Sequence, residues 1–191
     1  TLLLHRMLKN GDKTNPNLSL FAINFFPEIC TMKQILSLFV VILFILPSQG
    51  QQVIPGAERL DVYVPMLKGK KVAIFANQTS MVGNTHLVDT LRSLGIDIRV
   101  IFGPEHGFRG VADAGEKVGN YTDEKTGILV VSLYGQKRRP AAEDLRNVDI
   151  MIFDIQDVGV RFYTFISSLQ EYMETAFELG KPLLLLDRPN P

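Results

Sequence analysis

Residues 71–110 read KVAIFANQTS MVGNTHLVDT LRSLGIDIRV IFGPEHGFRG, and this stretch decides the fold. Lys71 to Ala76 is a short apolar run that reads as a buried strand. Thr85 to Leu94 then places Leu87, Val88, Leu91 and Leu94 at helical spacing. Gly95 follows, where glycine readily takes the left-handed turn that closes a helix. Asp97 to Phe102 is a second apolar run. Apolar runs joined through helices form βαβ units, which build a parallel sheet covered on both faces.

The same alternation continues downstream. Ile128 to Leu133 and Asp149 to Phe153 read as a third and fourth strand, and Leu183 to Leu186 as a fifth. Pro140 to Leu145 is predicted to be a short helix, with proline at its first position. Tyr163 to Leu179 is the longest predicted helix. Its apolar face is Phe165, Ile166, Leu169, Met173, Ala176 and Phe177, and Gly180 ends it. The 17-residue connection Val111 to Gly127 is expected to be a lid or binding loop, or else an ordinary solvated excursion or a small hairpin. The predicted class is α/β: a Rossmann-like, mostly parallel sheet with helices on both faces, incomplete at the C-terminus.

Upstream of this domain the pattern changes. Met32-Lys33-Gln34 opens a short basic region, Ile35 to Leu46 is apolar, and Pro47-Ser48-Gln49-Gly50 brings small residues at a cleavage site. That is the layout of a signal peptide over 32–50. Its apolar run falls short of the roughly 20 residues that span a bilayer. The implied localisation is periplasmic or secreted. Residues 1–31 precede a plausible start at Met32 and read as upstream translation. The domain is then 51–191, with a second subdomain expected beyond it.

Twenty Lys and Arg balance 20 Asp and Glu over the whole chain. No basic patch points to nucleic acid or to a membrane contact beyond the signal peptide. The only cysteine is Cys30, upstream of Met32, so the domain holds no disulfide and no thiol nucleophile. No cofactor is implied. The turn after the first strand has one glycine where a dinucleotide fingerprint needs three, and neither a P-loop nor a Gly-x-Ser-x-Gly elbow occurs.

Right-handed crossovers put every strand's carboxyl end on one edge of a parallel sheet. Five polar clusters follow the five strands there. They are Asn77-Gln78-Thr79; Glu105-His106 with Arg109; Tyr134-Gly135-Gln136; Asp154, Gln156, Asp157 and Arg161; and Asp187-Arg188. Glu105 leads the candidates, because a carboxylic acid in the right surroundings protonates a leaving oxygen. Phe102 and Phe108 flank it in sequence as a possible apolar wall. The competing role is an ion pair with Arg109. Asp154 and Asp157 either join the chemistry or satisfy loop amides and cap the next helix. Arg161 and Arg188 either grip an anion through two hydrogen bonds or pair with Asp157 and Asp187. His106 with Asp154 and Asp157 would be the ligands of a metal-dependent hydrolase, although the spacing is a weak metal signal.

Several blocks resemble the exo-β-N-acetylmuramidases of the NamZ type. They are Asn77-Gln78-Thr79, Gly103 to Gly110, Ser132 to Gly135, Phe153 to Thr164 and Leu186 to Pro191. The resemblance implies a Rossmann-like first domain and release of N-acetylmuramic acid from the non-reducing ends of peptidoglycan fragments. It implies Glu105 as general acid/base. Asp154 or Asp157 is then the second catalytic group, unless the substrate's acetamido group takes that part. Asn77, His106, Arg109, Gln156, Arg161, Tyr163, Asp187 and Arg188 become candidate substrate contacts. A muropeptide-binding protein without catalysis would use the same edge, and the oligomeric state stays open.

Overall fold

The computed structural model describes residues 32–40, 53–110 and 119–190. The chain divides into two units, Thr1–Gln51 and Gln52–Pro191. In the first, residues 32–40 form a helix with exposed side chains. The upstream segment 1–31 and residues 41–52, which hold the predicted cleavage site, lie outside the described residues. Among the described residues no helix is long and apolar enough to cross a membrane.

In the second unit a short 3-10 turn, Gly56–Glu58, precedes α1 (Leu60–Leu67) and β1 (Lys71–Ala76). A hairpin of β2 (Met81–Val82) and β3 (Thr85–His86) leads into α2 (Leu87–Ser93). Then come β4 (Asp97–Gly103), β5 (Tyr121–Thr122), β6 (Leu129–Ser132), β7 (Ile150–Asp154), α3 (Phe165–Glu178) and β8 (Leu183–Leu185). The main sheet has the order β5-β6-β4-β1-β7-β8. Every pairing is parallel except β5 with β6. The first parallel strand is therefore central, the next two lie on one side and the last two on the other. This is the doubly wound order, whose ligand crevice opens where the direction reverses, here between β1 and β7.

Alternating strand residues feed two cores. Val72, Ile74, Ile101 and Ile152 pack with Tyr63, Val64 and Leu67 of α1 and Leu87, Val88 and Leu91 of α2. Phe75, Phe102, Met151 and Phe153 pack with Phe165, Tyr172 and Ala176 of α3. Helices thus cover both faces, as the unbroken apolar strands require.

Three local expectations change, and for one segment a stated alternative is met. Thr85 and His86 pair with Val82 and Met81, so α2 starts two residues late. Residues 142–147 are consecutive turns, and Pro140 to Leu145 forms no helix. The Asp144 carboxylate accepts the Ala141 N–H at 2.7 Å, satisfying a donor that would lack a ladder partner in a first turn. So short a segment makes too few ladder bonds to offset helix nucleation. Part of the Val111 to Gly127 connection is a hairpin, because β5 pairs antiparallel with β6. Residues 111–118, where a lid would fall, are outside the described residues. Finally, α3 buries the line Phe165, Tyr172 and Ala176, while Ile166, Met173 and Phe177 are exposed. Tyr172, absent from the predicted face, packs its ring against Phe75, Phe102 and Phe153. Burial pushes the Tyr172 hydroxyl pKa well up.

Candidate active site at the carboxyl edge

The turn after β1 is built from its own side chains. The Asn77 carbonyl Oδ1 accepts from the Thr79 N–H at 2.9 Å and from the Thr79 hydroxyl at 2.6 Å. The Ser80 hydroxyl accepts from the Asn77 N–H at 3.0 Å and donates to the Asp154 backbone carbonyl. The Gln156 N–H donates to Thr79 Oγ1 at 3.1 Å. These bonds sew the loop after β1 to the loop after β7, across the point where the strand order reverses.

Asp154 and Arg188 fill the seam. Asp154 is fully buried. Arg188 Nε donates to one carboxylate oxygen at 2.5 Å and Nη2 to the other at 2.9 Å. Nη2 also donates to the Met81 carbonyl at 2.8 Å. Burial pushes the Asp154 carboxyl up, against the pull of Arg188. The preceding segment closes over the same place. The Gly56 N–H donates to the Asp187 carbonyl at 2.7 Å, and a side chain on Gly56 would meet the Asp187 nitrogen at 2.8 Å. The Gln156 amide donates to the Pro189 carbonyl at 2.8 Å, tying the loops after β7 and β8 together.

The loop after β4 is held from below. Arg109 donates to both oxygens of Asp123, at 2.8 and 2.9 Å, and to both oxygens of Asp89, at 3.2 and 3.1 Å. Its guanidinium also lies 4.5 Å from the Phe108 ring centre. The hydrogen bonds from Arg109 hold the Asp123 carboxyl down at about 2. Arg109 therefore anchors the loop. Phe102 and Phe108 are fully buried in opposite cores. Gly110 takes φ 69°, and a Cβ there would lie 2.8 Å from the Gln78 side chain, so only glycine fits.

Above that anchor Glu105 and His106 are half-buried, with His106 at φ 71°. The exposed Tyr134 hydroxyl, from the loop after β6, donates to the Glu105 carboxylate, which raises the Tyr134 pKa. Asp157 is half-buried, while Arg161, Tyr163 and Asp187 are exposed. Asp157, Asp187 and Arg188 line a cavity of about 320 Å³ between α3 and β8.

Residues 72–191 match the family model described as "Exo-beta-N-acetylmuramidase NamZ, N-terminal". The chain belongs to this NamZ N-terminal family. It is 50% identical over 136 residues to the peptidoglycan beta-N-acetylmuramidase NamZ of Bacillus subtilis (strain 168), covering 69% of this chain and 32% of that protein. It is also similar to two crystal structures of DUF1343 family proteins from Bacteroides fragilis NCTC 9343. One has 44% identity and a TM-score of 0.63, covering 74% of this chain and 36% of that one. The other has 37% identity and a TM-score of 0.64, covering 72% and 35%. The chain spans about a third of the length of these relatives.

In this NamZ N-terminal chain the structure sorts the predicted residues into groups. Asn77, Asp154, Gln156 and Arg188 meet at the β1/β7 seam. Glu105 meets Tyr134 above β4 and β6. Arg109 meets neither Glu105 nor the seam. Asp154 gives both oxygens to Arg188, so it does not join His106 and Asp157 around a metal. Among the described residues no group of three or more His, Cys, Asp or Glu side chains could hold one.

His86 was missed. Its Nδ1 accepts from the Val88 N–H at 3.2 Å, capping α2. That bond leaves Nε2 to donate to the Asn77 carbonyl at 3.0 Å. Its ring meets Phe108 edge-on at 5.1 Å, linking the β1 loop to the Glu105 loop, and burial lowers its pKa. A histidine directly before Leu87 and Val88 was the available signal. Asp89 and Asp123 were missed because their partner, Arg109, is 20 and 14 residues away.

Proposed function

We propose that this protein hydrolyses peptidoglycan fragments as an exo-β-N-acetylmuramidase, with Glu105 as general acid/base. One observation carries the assignment of Glu105. Of the three carboxylates nominated for catalysis, Asp154 is sealed under Arg188, Glu105 and Asp157 are both half-exposed, and of these two Glu105 sits on the loop that Arg109 anchors. The family and the muramidase that shares half of the aligned residues supply the reaction class.

Glu105 protonates the glycosidic oxygen as the bond to the leaving sugar breaks, and Tyr134 orients its carboxyl group. Either of two groups meets the electron-deficient anomeric carbon. Asp157 acts as base or nucleophile according to its separation from Glu105, or the substrate's acetamido oxygen attacks. Asp154 serves by fixing Arg188 and the seam. Export through the leader over 32–50 suits a wall substrate; a mature protein beginning at Gln51 by mass spectrometry checks it.

The decisive assay uses the full-length protein and a chromogenic β-N-acetylmuramide. Glu105→Gln is expected to lower kcat by about 10²- to 10⁴-fold, the usual contribution of a positioned acid. Unchanged turnover in that variant removes Glu105 from the mechanism. Binding of N-acetylmuramic acid without any turnover by the wild type favours the binding-protein reading instead.

A further inference from the structure

We infer that the turn at residues 160–163, following β7, is the subsite that recognises the carboxylate of an anionic sugar. Arg161 supplies its charge, and the exposed Phe162–Tyr163 pair supplies its apolar platform. The inference rests on the muramidase reading and deepens it.

Three arginines on the carboxyl edge were candidates for an anion, and the structure disposes of two. Arg109 spends four hydrogen bonds on Asp89 and Asp123. Arg188 is held by Asp154 and the Met81 carbonyl. Arg161 is exposed and has no hydrogen bond or ion pair to any described residue. A planar guanidinium free on both N–H edges can grip a carboxylate with two parallel hydrogen bonds.

The neighbouring side chains point to a sugar. Phe162 is 82% exposed and Tyr163 44%. Their rings lie 5.7 Å apart, and Tyr163 lies 5.6 Å from Phe165, the buried first residue of α3. The Tyr163 N–H donates to the Val160 carbonyl at 3.1 Å and closes the turn. The exposed aromatic pair is thus a step built onto the core. Leaving a phenylalanine ring in water costs about 2 kcal/mol relative to burial, and here two exposed rings stand side by side next to an unpaired guanidinium, a small apolar patch with a charge at its edge.

The chemistry of the substrate matches this pairing. N-acetylmuramic acid differs from N-acetylglucosamine by a lactyl ether, which adds one carboxylate and one methyl group. Arg161 fits the carboxylate, and an aromatic face fits the methyl and the apolar face of a pyranose ring. Arg161 is then the residue that tells the two sugars apart.

The test uses the full-length protein with a chromogenic β-N-acetylmuramide and the matching β-N-acetylglucosaminide. Arg161→Ala is expected to raise KM for the muramide about 10- to 100-fold with kcat nearly unchanged, the loss of a charge-assisted contact. The preference for muramide over glucosaminide should fall by the same factor. Arg161→Lys should recover part of it, and Phe162→Ala should raise KM for both substrates. An Arg161→Ala enzyme with its thermal midpoint and sugar preference intact overturns the inference while leaving the muramidase reading standing. If the wild type turns over no muramide, that reading fails first. Calorimetry with N-acetylmuramic acid then decides the subsite: binding lost in Arg161→Ala supports it, and no binding by the wild type overturns it. A dimer dispersed by Phe162→Ala in sedimentation would assign the aromatic pair to a second copy and overturn the platform.

Discussion

The two flanks of β1 carry the same residue types and use them in opposite ways. On the β7 flank, Asp154 and Arg188 are sealed together and stitched to Asn77, Thr79 and Ser80. On the β4 flank, the carboxylate–arginine cluster lies under the loop, and Glu105 is left half-exposed with a tyrosine hydroxyl on it. In a doubly wound sheet the crevice beside the reversal point is where ligands are expected. Here that crevice is packed with paired charge, and Glu105, the acid proposed above, stands on the loop after the neighbouring strand. A buried pair makes a rigid platform; a half-exposed acid keeps its access to substrate. Among the described residues, the buried Asn77 Nδ2 is the one polar side-chain atom of the seam with no hydrogen-bond partner.

The contrast breaks most visibly in rate. Glu105→Gln should abolish most of the turnover while leaving the thermal midpoint of the full-length protein within a degree or two, because its side chain is half-exposed and bonds only the exposed Tyr134 hydroxyl, which an amide oxygen can still accept. A large drop in stability would mean that the β4 flank is structural after all. Asp154→Asn should do the reverse. It leaves the Arg188 charge buried without its partner, a change that costs about 3–5 kcal/mol. Urea denaturation measures it, and a loss under about 1 kcal/mol would show the seam to be dispensable.

The acid limb of stability sharpens the comparison further. The Asp123 carboxyl is held at about 2, below its ordinary value near 3.8. A depressed carboxyl favours the folded state above the unfolded-state pKa, and the benefit fades as pH falls toward the folded one. Stability should therefore decline between about pH 4 and pH 2, by on the order of 2 kcal/mol. Asp123→Asn should flatten that limb in a pH series of unfolding curves. An unchanged slope would place the acid sensitivity elsewhere.

Much of this was legible in the residues. The strands were, because a strand buried on both faces must be apolar throughout: Lys71–Ala76 matches its predicted run residue for residue. The gathering of Asn77, Glu105, Asp154 and Arg188 on one edge was also legible, since right-handed crossovers leave no other place for strand ends. The partners were not. Arg109 and Asp123 are 14 residues apart, and Arg188 and Asp154 are 34 apart. Nothing local says which carboxylate an arginine will meet. Nor did the pattern of α3 separate Phe165 and Tyr172, which are buried, from Ile166 and Phe177, which are not.

The sequence by itself determined the α/β class, the edge on which the candidate residues gather and the family, because periodicity, handedness and motif order are properties of the chain. Tertiary structure alone decided which charges are spent and which are free. Burial and pairing depend on the distances between loops from different strands, and those exist only once the sheet has formed. Asp154, Arg109 and Arg188 ended in ion pairs that way, while Glu105 stayed half-exposed and Arg161 exposed.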